Sequence, residues 1–507
     1  MKLKLLLFLA MTTCGSIPAA NFFWKPDYAA LNYDWADTSN WVTTSGGSIH
    51  PGSIPGPADN VIVDPGCIDA RIDLYDTARC HSILFTAGLS YASLSPLLSD
   101  QTGGASPLLV YGSFQTCPDL GLVCNIVFMS AGPSNTIDLH ITGSFWGDPL
   151  DILTVSFKGT GTWTLLSPLD ANYISMERGR FFTADQPVRT HNFQVPGTAF
   201  RSLMLGTSVV EVIDAGGGFE VTGSNHYIDA DSASIILTAG DNVALVFNGG
   251  VNQHYHYVEL DTLAPTPGML GINCEVDKLV SYGTFQEFTM SGRIHKAEFY
   301  AGGMIANTTS GERLSYDTLL LENILSPGFG SNSDYTFDCD TLTVGDVLQI
   351  NSGPADTISI TEYWGSSANY LLLPDDSLCL DYLKLRNVHA LGSGVYFAGS
   401  NSADLGNNSG WLFSGCDIAT ATASSSFFQS GPGVYPNPFS SEISVRSNGN
   451  KLLRAEVFTM AGEELISSEN LDTQSEVSLH LTAIASGCYV LKVTTEAGVK
   501  HQIIIKQ

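Results

Sequence analysis

Neighbouring acidic side chains are the residues of this 507-residue chain that could perform hydrolytic or lyase chemistry on a polysaccharide. Such chemistry needs two convergent carboxylates, or a cation beside a base. Four pairs fit: Asp148 with Asp151, Glu211 with Asp214, Asp338 with Asp340, and Asp375 with Asp376. Most lie beside Gly, Pro or Ser, where acidic residues serve turns, and 50 acidic residues produce such neighbours by chance. We therefore expect no catalytic residues and no enzyme activity.

Two further groups could bind a ligand. Arg178 and Arg180 beside Glu177 could hold an anionic sugar, but equally suit an exposed strand edge. The phrase NQHYHYVELD at Asn252 places His254 and His256 on one face of a strand, and histidine is a common metal ligand. Two ligands do not complete a site, and a solvated polar face is the alternative. We predict no metal and no cofactor.

Asp-(Ser/Thr)-apolar triplets recur seven times between the termini. Composition alone predicts on the order of two or three, although short motifs recur by chance. Two interpretations stay open: Asp-Thr begins a strand after a turn, or the hydroxyl carries sugar. Under the second, the acceptors are Thr77, Ser232, Thr262, Thr318, Thr341, Thr357 and Ser377.

The composition indicates an extracellular chain built from strands. Charged residues make up 14% of the chain and 50 residues are glycine, against about 25% charged in ordinary domains. The net charge is −28 with only 22 Lys and Arg, which argues against nucleic acid, since phosphate binding needs clustered cations. The opening MKLKLLLFLAMTTCGSIPAA has the layout of a secretory signal peptide, which we assign to residues 1–20. No other run is long enough to span a bilayer.

Cysteine usage fits an oxidising compartment. Nine cysteines follow the signal peptide, so at least one is unpaired or paired elsewhere. Cys67 with Cys80, and Cys117 with Cys124, are close enough in sequence to be bridged. The alternative is that most are buried small apolar side chains.

Short strand-like runs broken by Gly, Asn, Asp, Ser or Pro fill the chain from Asn21 to Phe413. Glycine followed two residues later by an apolar residue recurs, as at Gly283, Gly292 and Gly303, and suits tight corners. The runs fit either several antiparallel sandwiches or one parallel β-solenoid, and we favour the solenoid. We predict an N-terminal cap over residues 21–75 and the solenoid body over 76–415.

The body resembles a known class of protein. W-x-D-T-S-N-W at Trp35, P-x-x-x-D-N-V at Pro55, GTWTL at Gly161 and the segment beginning YLKLRNV at Tyr382 look like large secreted surface proteins of the Bacteroidetes type. That resemblance implies a right-handed parallel β-helix with an adhesin-like role.

The last 75 residues have a different sequence pattern from the rest of the chain. A small-residue linker, 416–432, precedes cleanly alternating strands in residues 433–507. Met460-Ala-Gly and Glu496-Ala-Gly supply the turns of two hairpins. This pattern predicts a small antiparallel sandwich, which we expect to be immunoglobulin-like. The stretch YPNP, with Pro436 and Pro438, makes a stiff segment confined to an edge.

The tail closely resembles the type A C-terminal sorting domain of the type IX (Por) secretion system. The matching residues are Tyr435, Pro436, Asn437, Pro438, Gly487 and Tyr489, in YPNP and SGCYVLKV, with Cys488 a modest departure from the pattern. The resemblance implies export to the cell surface or medium, recognition by the secretion machinery and its sortase, tail removal, and release or attachment to lipopolysaccharide. We therefore expect a secreted adhesin-like or structural protein that binds carbohydrate or matrix; a β-helix carbohydrate-active enzyme is the alternative.

Overall fold

The computed structural model describes residues 19–67, 69–89, 97–102, 105–118, 120–139, 154–213, 218–222, 224–238, 244–247, 253–260, 269–272, 274–283, 285–290, 292–306, 314–322, 334–338, 341–362, 369–374, 377–416, 433–436, 439–446, 451–459, 464–469, 476–495 and 498–506. The described residues form two compact units, divided after Cys416. Almost all of the signal peptide and almost all of the linker lie outside the described residues. The domain limits expected at residues 20, 75, 415 and 432 stay predictions.

The first unit consists of short strands and two 3-10 helices, Tyr28–Ala30 and Thr38–Asn40. Its first twenty strands are β1 (Asn21–Trp24), β2 (Trp41–Val42), β3 (Asn60–Val63), β4 (Arg71–Leu74), β5 (Ala78–Cys80), β6 (Ile83–Phe85), β7 (Leu97–Asp100), β8 (Leu108–Val110), β9 (Phe114–Gln115), β10 (Gly121–Val123), β11 (Ile126–Phe128), β12 (Asn135–Asp138), β13 (Thr154–Phe157), β14 (Thr162–Leu165), β15 (Leu169–Met176), β16 (Gly179–Phe182), β17 (Val188–Val195), β18 (Arg201–Met204), β19 (Val209–Val212) and β20 (Gly218–Val221).

The remaining strands of this unit include its longest ones. They are β21 (His226–Leu237), β22 (Ala244–Phe247), β23 (His254–Leu260), β24 (Met269–Ile272), β25 (Glu275–Ser281), β26 (Phe285–Met290), β27 (Gly292–Phe299), β28 (Gly303–Ala306), β29 (Leu314–Glu322), β30 (Asp334–Asp338), β31 (Thr341–Asn351), β32 (Ile358–Glu362), β33 (Asn369–Leu372), β34 (Leu378–Cys379), β35 (Leu383–Leu385), β36 (Val388–Leu391), β37 (Tyr396–Phe397), β38 (Ala403–Asp404) and β39 (Trp411–Leu412).

Parallel pairing between strands two positions apart in the chain organises most of this unit. One 33-stranded sheet contains two interleaved series in its second half. The first series runs β21, β23, β25, β27, β29 and β31, and the second runs β22, β24, β26, β28, β30 and β32. Among the described pairs of this unit, only β1 with β2 is antiparallel. A series of antiparallel sandwiches is therefore wrong for these residues, whereas the expected all-β class with a long parallel sheet is confirmed.

Alternating burial explains why these segments form strands. In β14, Trp163 and Leu165 are buried and alternate with half-buried threonines. In β13, the buried Phe157 stacks against Phe128 of β11 and packs against Phe181 of β16, with centroids 5.2 and 4.5 Å apart. Apolar residues that recur every second position meet in one core because strand side chains alternate between faces. Gly179, in one of the predicted glycine corners, has φ of +82°, and a Cβ there would lie 2.6 Å from the carbonyl oxygens of Gly159 and Gly161. This corner therefore requires glycine.

Three tryptophans stabilise the beginning of the unit. Trp24 and Trp35 each pack edge-on against Trp41, at 4.9 and 4.8 Å between ring centroids. The indole nitrogen of Trp41 donates a hydrogen bond to the backbone oxygen of Trp35. Asp37, from the W-x-D-T-S-N-W motif, caps the second 3-10 helix by accepting from the amide of Ser39. The motif therefore builds an aromatic cluster.

The cysteine pairs expected from sequence proximity are wrong. Cys67, Cys80 and Cys124 are free, buried thiols, and burial raises the pKa of each, to about 12 for Cys67. They act as small apolar side chains, which was the open alternative. The described disulfide instead joins Cys379 to Cys416.

Removing that disulfide should loosen the end of the first unit. It closes a loop between residues 37 positions apart, and a bridge of this kind contributes about 2–4 kcal/mol. We expect Cys379→Ser with Cys416→Ser to lower the free energy of unfolding of residues 19–416 by about that amount, measured by denaturant titration. Reductant should destabilise the parent protein but leave the double variant unchanged. Equal sensitivity of both proteins to reductant would contradict this prediction.

The second unit contains two antiparallel sheets over one core. Its strands are β40 (Gly433–Tyr435), β41 (Glu442–Arg446), β42 (Leu452–Thr459), β43 (Glu464–Glu469), β44 (Glu476–His480), β45 (Gly487–Thr495) and β46 (Gly498–Lys506). One sheet has the order β40-β41-β44 and the other β43-β42-β45-β46. Ile443 and Val445 of the first sheet share a buried cluster with Val457 and Leu491 of the second. The hairpins expected at β42–β43 and β45–β46 are present.

Candidate functional sites

A buried lysine organises the end of the second unit. Lys506, in the last strand, is 9% exposed. Its ammonium donates hydrogen bonds to the backbone oxygens of Leu481, Thr482 and Ile484, at 2.6, 3.1 and 2.6 Å. The terminal strand is therefore fixed to the loop that precedes SGCYVLKV. The sequence contained one signal for it: Lys506 is in phase with the buried Ile504.

Two of the predicted sorting residues, Gly487 and Tyr489, follow the same loop directly. Tyr489 is buried, and its hydroxyl donates to the backbone oxygen of Ala485 at 2.7 Å. Gly487 begins β45, Tyr435 ends β40, and Pro436 is exposed, whereas Asn437 and Pro438 lie outside the described residues. Immediately after YPNP, the amide of Phe439 donates to the backbone oxygen of Ile505 at 2.8 Å. The YPNP segment and the terminal strand are thus joined through Phe439.

Corners in the middle strands of the first unit turn two consecutive side chains outward. His256 with Tyr257 in β23, Asp277 with Lys278 in β25 and His295 with Lys296 in β27 interrupt the in–out alternation in this way. The same interruption occurs at Asp231 with Ser232 in β21 and Asp317 with Thr318 in β29. Because these strands are parallel neighbours, their corners form one line of outward side chains along the sheet.

The first residues of these corners, with their neighbours, form a set of ion pairs that we call the charge ladder. His254 Nδ1 lies 2.9 Å from Asp231 Oδ1, and His254 Nε2 lies 2.8 Å from Asp277 Oδ1. His256 Nδ1 lies 3.0 Å from Asp277 Oδ2. His295 Nε2 lies 2.8 Å from Glu275 Oε1.

The ladder continues onto β29. His295 Nδ1 lies 2.6 Å from Asp317 Oδ2, and Arg293 Nη2 lies 2.8 Å from Asp317 Oδ1. Within the described part of the chain, no three His, Cys, Asp or Glu side chains are arranged to hold a metal ion. The candidate ligands His254 and His256 pair with carboxylates of the neighbouring strands.

Beside the charge ladder lies a second polar surface, the tyrosine strip, formed by Tyr257, Tyr282, Tyr300, Glu298, Glu322, Gln349 and Asn351. The rings of Tyr282 and Tyr300 stack at 5.2 Å with planes 9° apart. Asn351 Nδ2 donates to Glu322 Oε2, and Gln349 Nε2 donates to Asn351 Oδ1, both at 2.9 Å. Planar rings therefore adjoin hydrogen-bonding amides on one sheet surface.

A carboxylate anchors the centre of this strip. Glu298, 7% exposed, lies 3.1 Å from Lys278 Nζ and 2.6 Å from Lys296 Nζ. Burial would raise the pKa of Glu298, but the two ammonium groups outweigh it and hold that pKa below its ordinary value. The hydroxyl of Tyr300 donates to the same carboxylate at 3.3 Å, and burial, aided by this charge, raises the pKa of Tyr300 to about 12. The phenol is therefore neutral at physiological pH.

None of the four candidate acidic pairs has both of its side chains among the described residues. Glu211 lies 3.4 Å from the Arg189 side chain, and its expected partner Asp214 is outside the described residues. Asp148, Asp151, Asp340, Asp375 and Asp376 are also outside, as is the side chain of Asp338. Arg178 and Arg180 are exposed, whereas Glu177 pairs with Lys158 at 3.2 Å.

The Asp-(Ser/Thr)-apolar triplets share a burial pattern. Ser232 and Ser377 are exposed, and Thr77, Thr318, Thr341 and Thr357 are half-buried; Thr262 lies outside the described residues. The apolar third residue is buried in five triplets and half-buried in the one at Ser377. The triplets at Thr341 and Thr357 stand at the beginning of β31 and β32, as the turn interpretation expects, whereas those at Ser232 and Thr318 lie inside β21 and β29. O-glycosylation stays a prediction.

Comparison with known proteins bears on the second unit. Residues 433–507 match the secretion system C-terminal sorting domain family. The protein carries a type IX C-terminal sorting domain, and is exported by that system to the cell surface or the medium. No curated protein and no solved structure is significantly similar to the chain. Among the described residues, no helix is long and apolar enough to cross a membrane.

Proposed function

We propose that the first unit is a right-handed parallel β-solenoid that acts outside the cell as an adhesin-like, non-enzymatic surface protein, with the tyrosine strip binding carbohydrate. The two interleaved series of parallel strands support the solenoid. After each strand of one series, the chain forms a strand of the other series before it returns. Right-handedness follows from the strong preference of parallel crossovers for that hand. The second unit is, in the same proposal, immunoglobulin-like.

The stacked pair Tyr282 and Tyr300 is the observation that carries the carbohydrate proposal. Aromatic faces pack against the apolar faces of sugar rings, while amides and carboxylates bond the hydroxyls. Asn351 and Gln349, both exposed, supply amides beside the rings, and Glu322 supplies a carboxylate. Parallel strands space these groups regularly along the sheet, which suits an extended glycan chain better than a single small molecule.

Replacing both stacked tyrosines should weaken glycan binding. Each ring contributes about 0.5–1.5 kcal/mol, so Tyr282→Ala with Tyr300→Ala is expected to lower affinity about tenfold or more. Affinity electrophoresis in gels containing laminarin, xylan, mannan or polygalacturonate measures this. Tyr227→Ala is the matched control, because that ring is 55% exposed and lies outside the strip.

The same gels separate binding from turnover. Retardation by at least one polysaccharide, lost in the double variant and kept in the control, supports the proposal. Absence of retardation in all four gels would contradict it. Depolymerisation of any of them would favour a carbohydrate-active enzyme instead.

We further propose that the outer-membrane sortase of the type IX system removes the second unit and that the body is released or attached to lipopolysaccharide. The separation of the chain into two compact units after Cys416 supports removal at that junction. We expect mass spectrometry of the surface-exposed protein to locate the C-terminus of the mature chain within residues 416–432.

A further inference from the structure

The charge ladder contains two imidazoles that each face a carboxylate at both ring nitrogens. His254 lies between Asp231 and Asp277 at 2.9 and 2.8 Å. His295 lies between Glu275 and Asp317 at 2.8 and 2.6 Å. A neutral imidazole has one N–H donor and one acceptor, whereas an ionised carboxylate only accepts. Both contacts of each ring can be hydrogen bonds only when the ring is an imidazolium.

The second proton on each of these rings helps to hold neighbouring strands together. The ladder joins five strands that lie side by side in the sheet, β21, β23, β25, β27 and β29. When an imidazolium loses a proton, one ring nitrogen presents a lone pair to a carboxylate, and two carboxylates on neighbouring strands lose the cation between them. The strands then repel each other at that corner.

We propose that the charge ladder is a pH-sensitive clamp that holds these five strands together while His254 and His295 are doubly protonated and loosens them when either ring becomes neutral. The clamp acts locally, because the buried apolar residues of each strand, such as Val258, Leu279 and Ala297, keep the core in place. It is independent of glycan binding and of the sorting unit.

Charged groups on every adjoining strand enter the balance. They are Asp229 and Asp231 on β21, His254, His256 and Glu259 on β23, Glu275, Asp277 and Lys278 on β25, Arg293, His295, Lys296 and Glu298 on β27, Asp317 on β29, and Asp346 on β31. Lys278 and Lys296 pair with Glu298, outside the ladder. The ladder proper thus has three imidazoles and Arg293 against four carboxylates.

The pKa shifts agree with this geometry. Burial would lower the pKa of His254, but its bonds to Asp277 and Asp231 outweigh burial and raise it. The same balance, with Asp317 and Glu275, raises the pKa of His295, even though Arg293 opposes it. Burial would raise the pKa of Asp277, but its bonds to His254 and His256 lower it.

The direction of the pH dependence follows from these shifts. A histidine with a raised pKa in the folded state contributes stability that is fully present below its ordinary pKa of 6.5 and is lost as the pH rises through the raised value. Asp277, with a lowered pKa, contributes stability that is lost only as the pH falls through that lowered value. The clamp is therefore closed at mildly acidic pH and opens toward alkaline pH.

Hydrogen exchange of the full mature chain tests the clamp. After correction for intrinsic exchange, peptides covering β23, β25 and β27 should exchange roughly tenfold faster at pH 9 than at pH 6, the change that loss of one hydrogen bond between charged groups supports. The variant His254→Gln with His295→Gln should lose this pH dependence, because a glutamine amide does not titrate. His389→Gln is the matched control, since His389 bonds the Ser409 hydroxyl rather than a carboxylate, and should behave like the parent.

An unchanged rate in the parent between the two pH values, or a double variant that keeps the parental dependence, would overturn the clamp. If the double variant does not fold, the histidine C2 resonances of the parent protein decide instead. Two of them titrating above the ordinary value, with loss of protection at the same pH, support the clamp. Titration of all of them at or below the ordinary value refutes it.

Discussion

Deleting residues 433–507 is expected to abolish surface display and leave the protein in the periplasm. These residues are the sorting domain by family match and form a unit with their own core, so the deletion removes the recognised part as a whole. In a bacterium that has the type IX system, immunoblots of periplasm, outer membrane and medium measure the distribution. Normal display of the truncated chain would refute the sorting role.

A single substitution within the sorting domain should reproduce much of this loss. Lys506→Met leaves three backbone oxygens without their ammonium donor. The bond to Leu481 is fully buried, and a buried acceptor that loses its donor costs about 1–3 kcal/mol. A unit of this size is only marginally stable, so the loop before SGCYVLKV should lose its structure. Arg446→Met is the control, because its bond to Glu476 is exposed and such surface pairs contribute little; that variant should be displayed normally.

Phe157→Ala is expected to give the largest loss of stability of any single substitution discussed for the first unit. Phe157 has no exposed surface and contacts the rings of Phe128, Phe181 and Trp163. Removing such a ring costs about 3–5 kcal/mol, because the transfer free energy is lost and a cavity remains. Denaturant unfolding of residues 19–416, followed by tryptophan fluorescence, measures the change.

The position of Phe157 between strands explains how far the damage should extend. Since stacked strands stabilise their neighbours in series, unfolding should begin near β13 and spread along the sheet. The exposed Phe200, 50% accessible, provides the control, and Phe200→Ala should change the free energy of unfolding by less than about 0.5 kcal/mol. Equal effects of the two substitutions would contradict the packing described for this core.

Local chemistry made most strands predictable from the sequence. The run TVSFKGTGTWTLLS predicted strands on both sides of its glycines, and β13 and β14 lie there. Alternation identifies a strand because its buried side chains repeat every second residue. The YPNP and SGCYVLKV motifs likewise identified the sorting domain, since both are continuous in sequence.

The partners of each strand and side chain were not predictable in the same way. The sequence pattern grouped His254 with His256, its neighbour in sequence, but the observed partners of His254 are Asp231 and Asp277, which come from the strands on either side. The disulfide between Cys379 and Cys416 was missed for the same reason, because it joins residues far apart in sequence. Register between parallel strands depends on the lengths of the intervening loops, which no local pattern encodes.

Transfer of residues 417–507 to an unrelated exported protein is the most direct test that the second unit is an address and the first its cargo. A periplasmic fluorescent protein followed by these residues should reach the cell surface or the medium in a bacterium with the type IX system, and the Lys506→Met fusion should not. Retention of the unaltered fusion in the periplasm would show that export needs the first unit as well, and would contradict this division of roles.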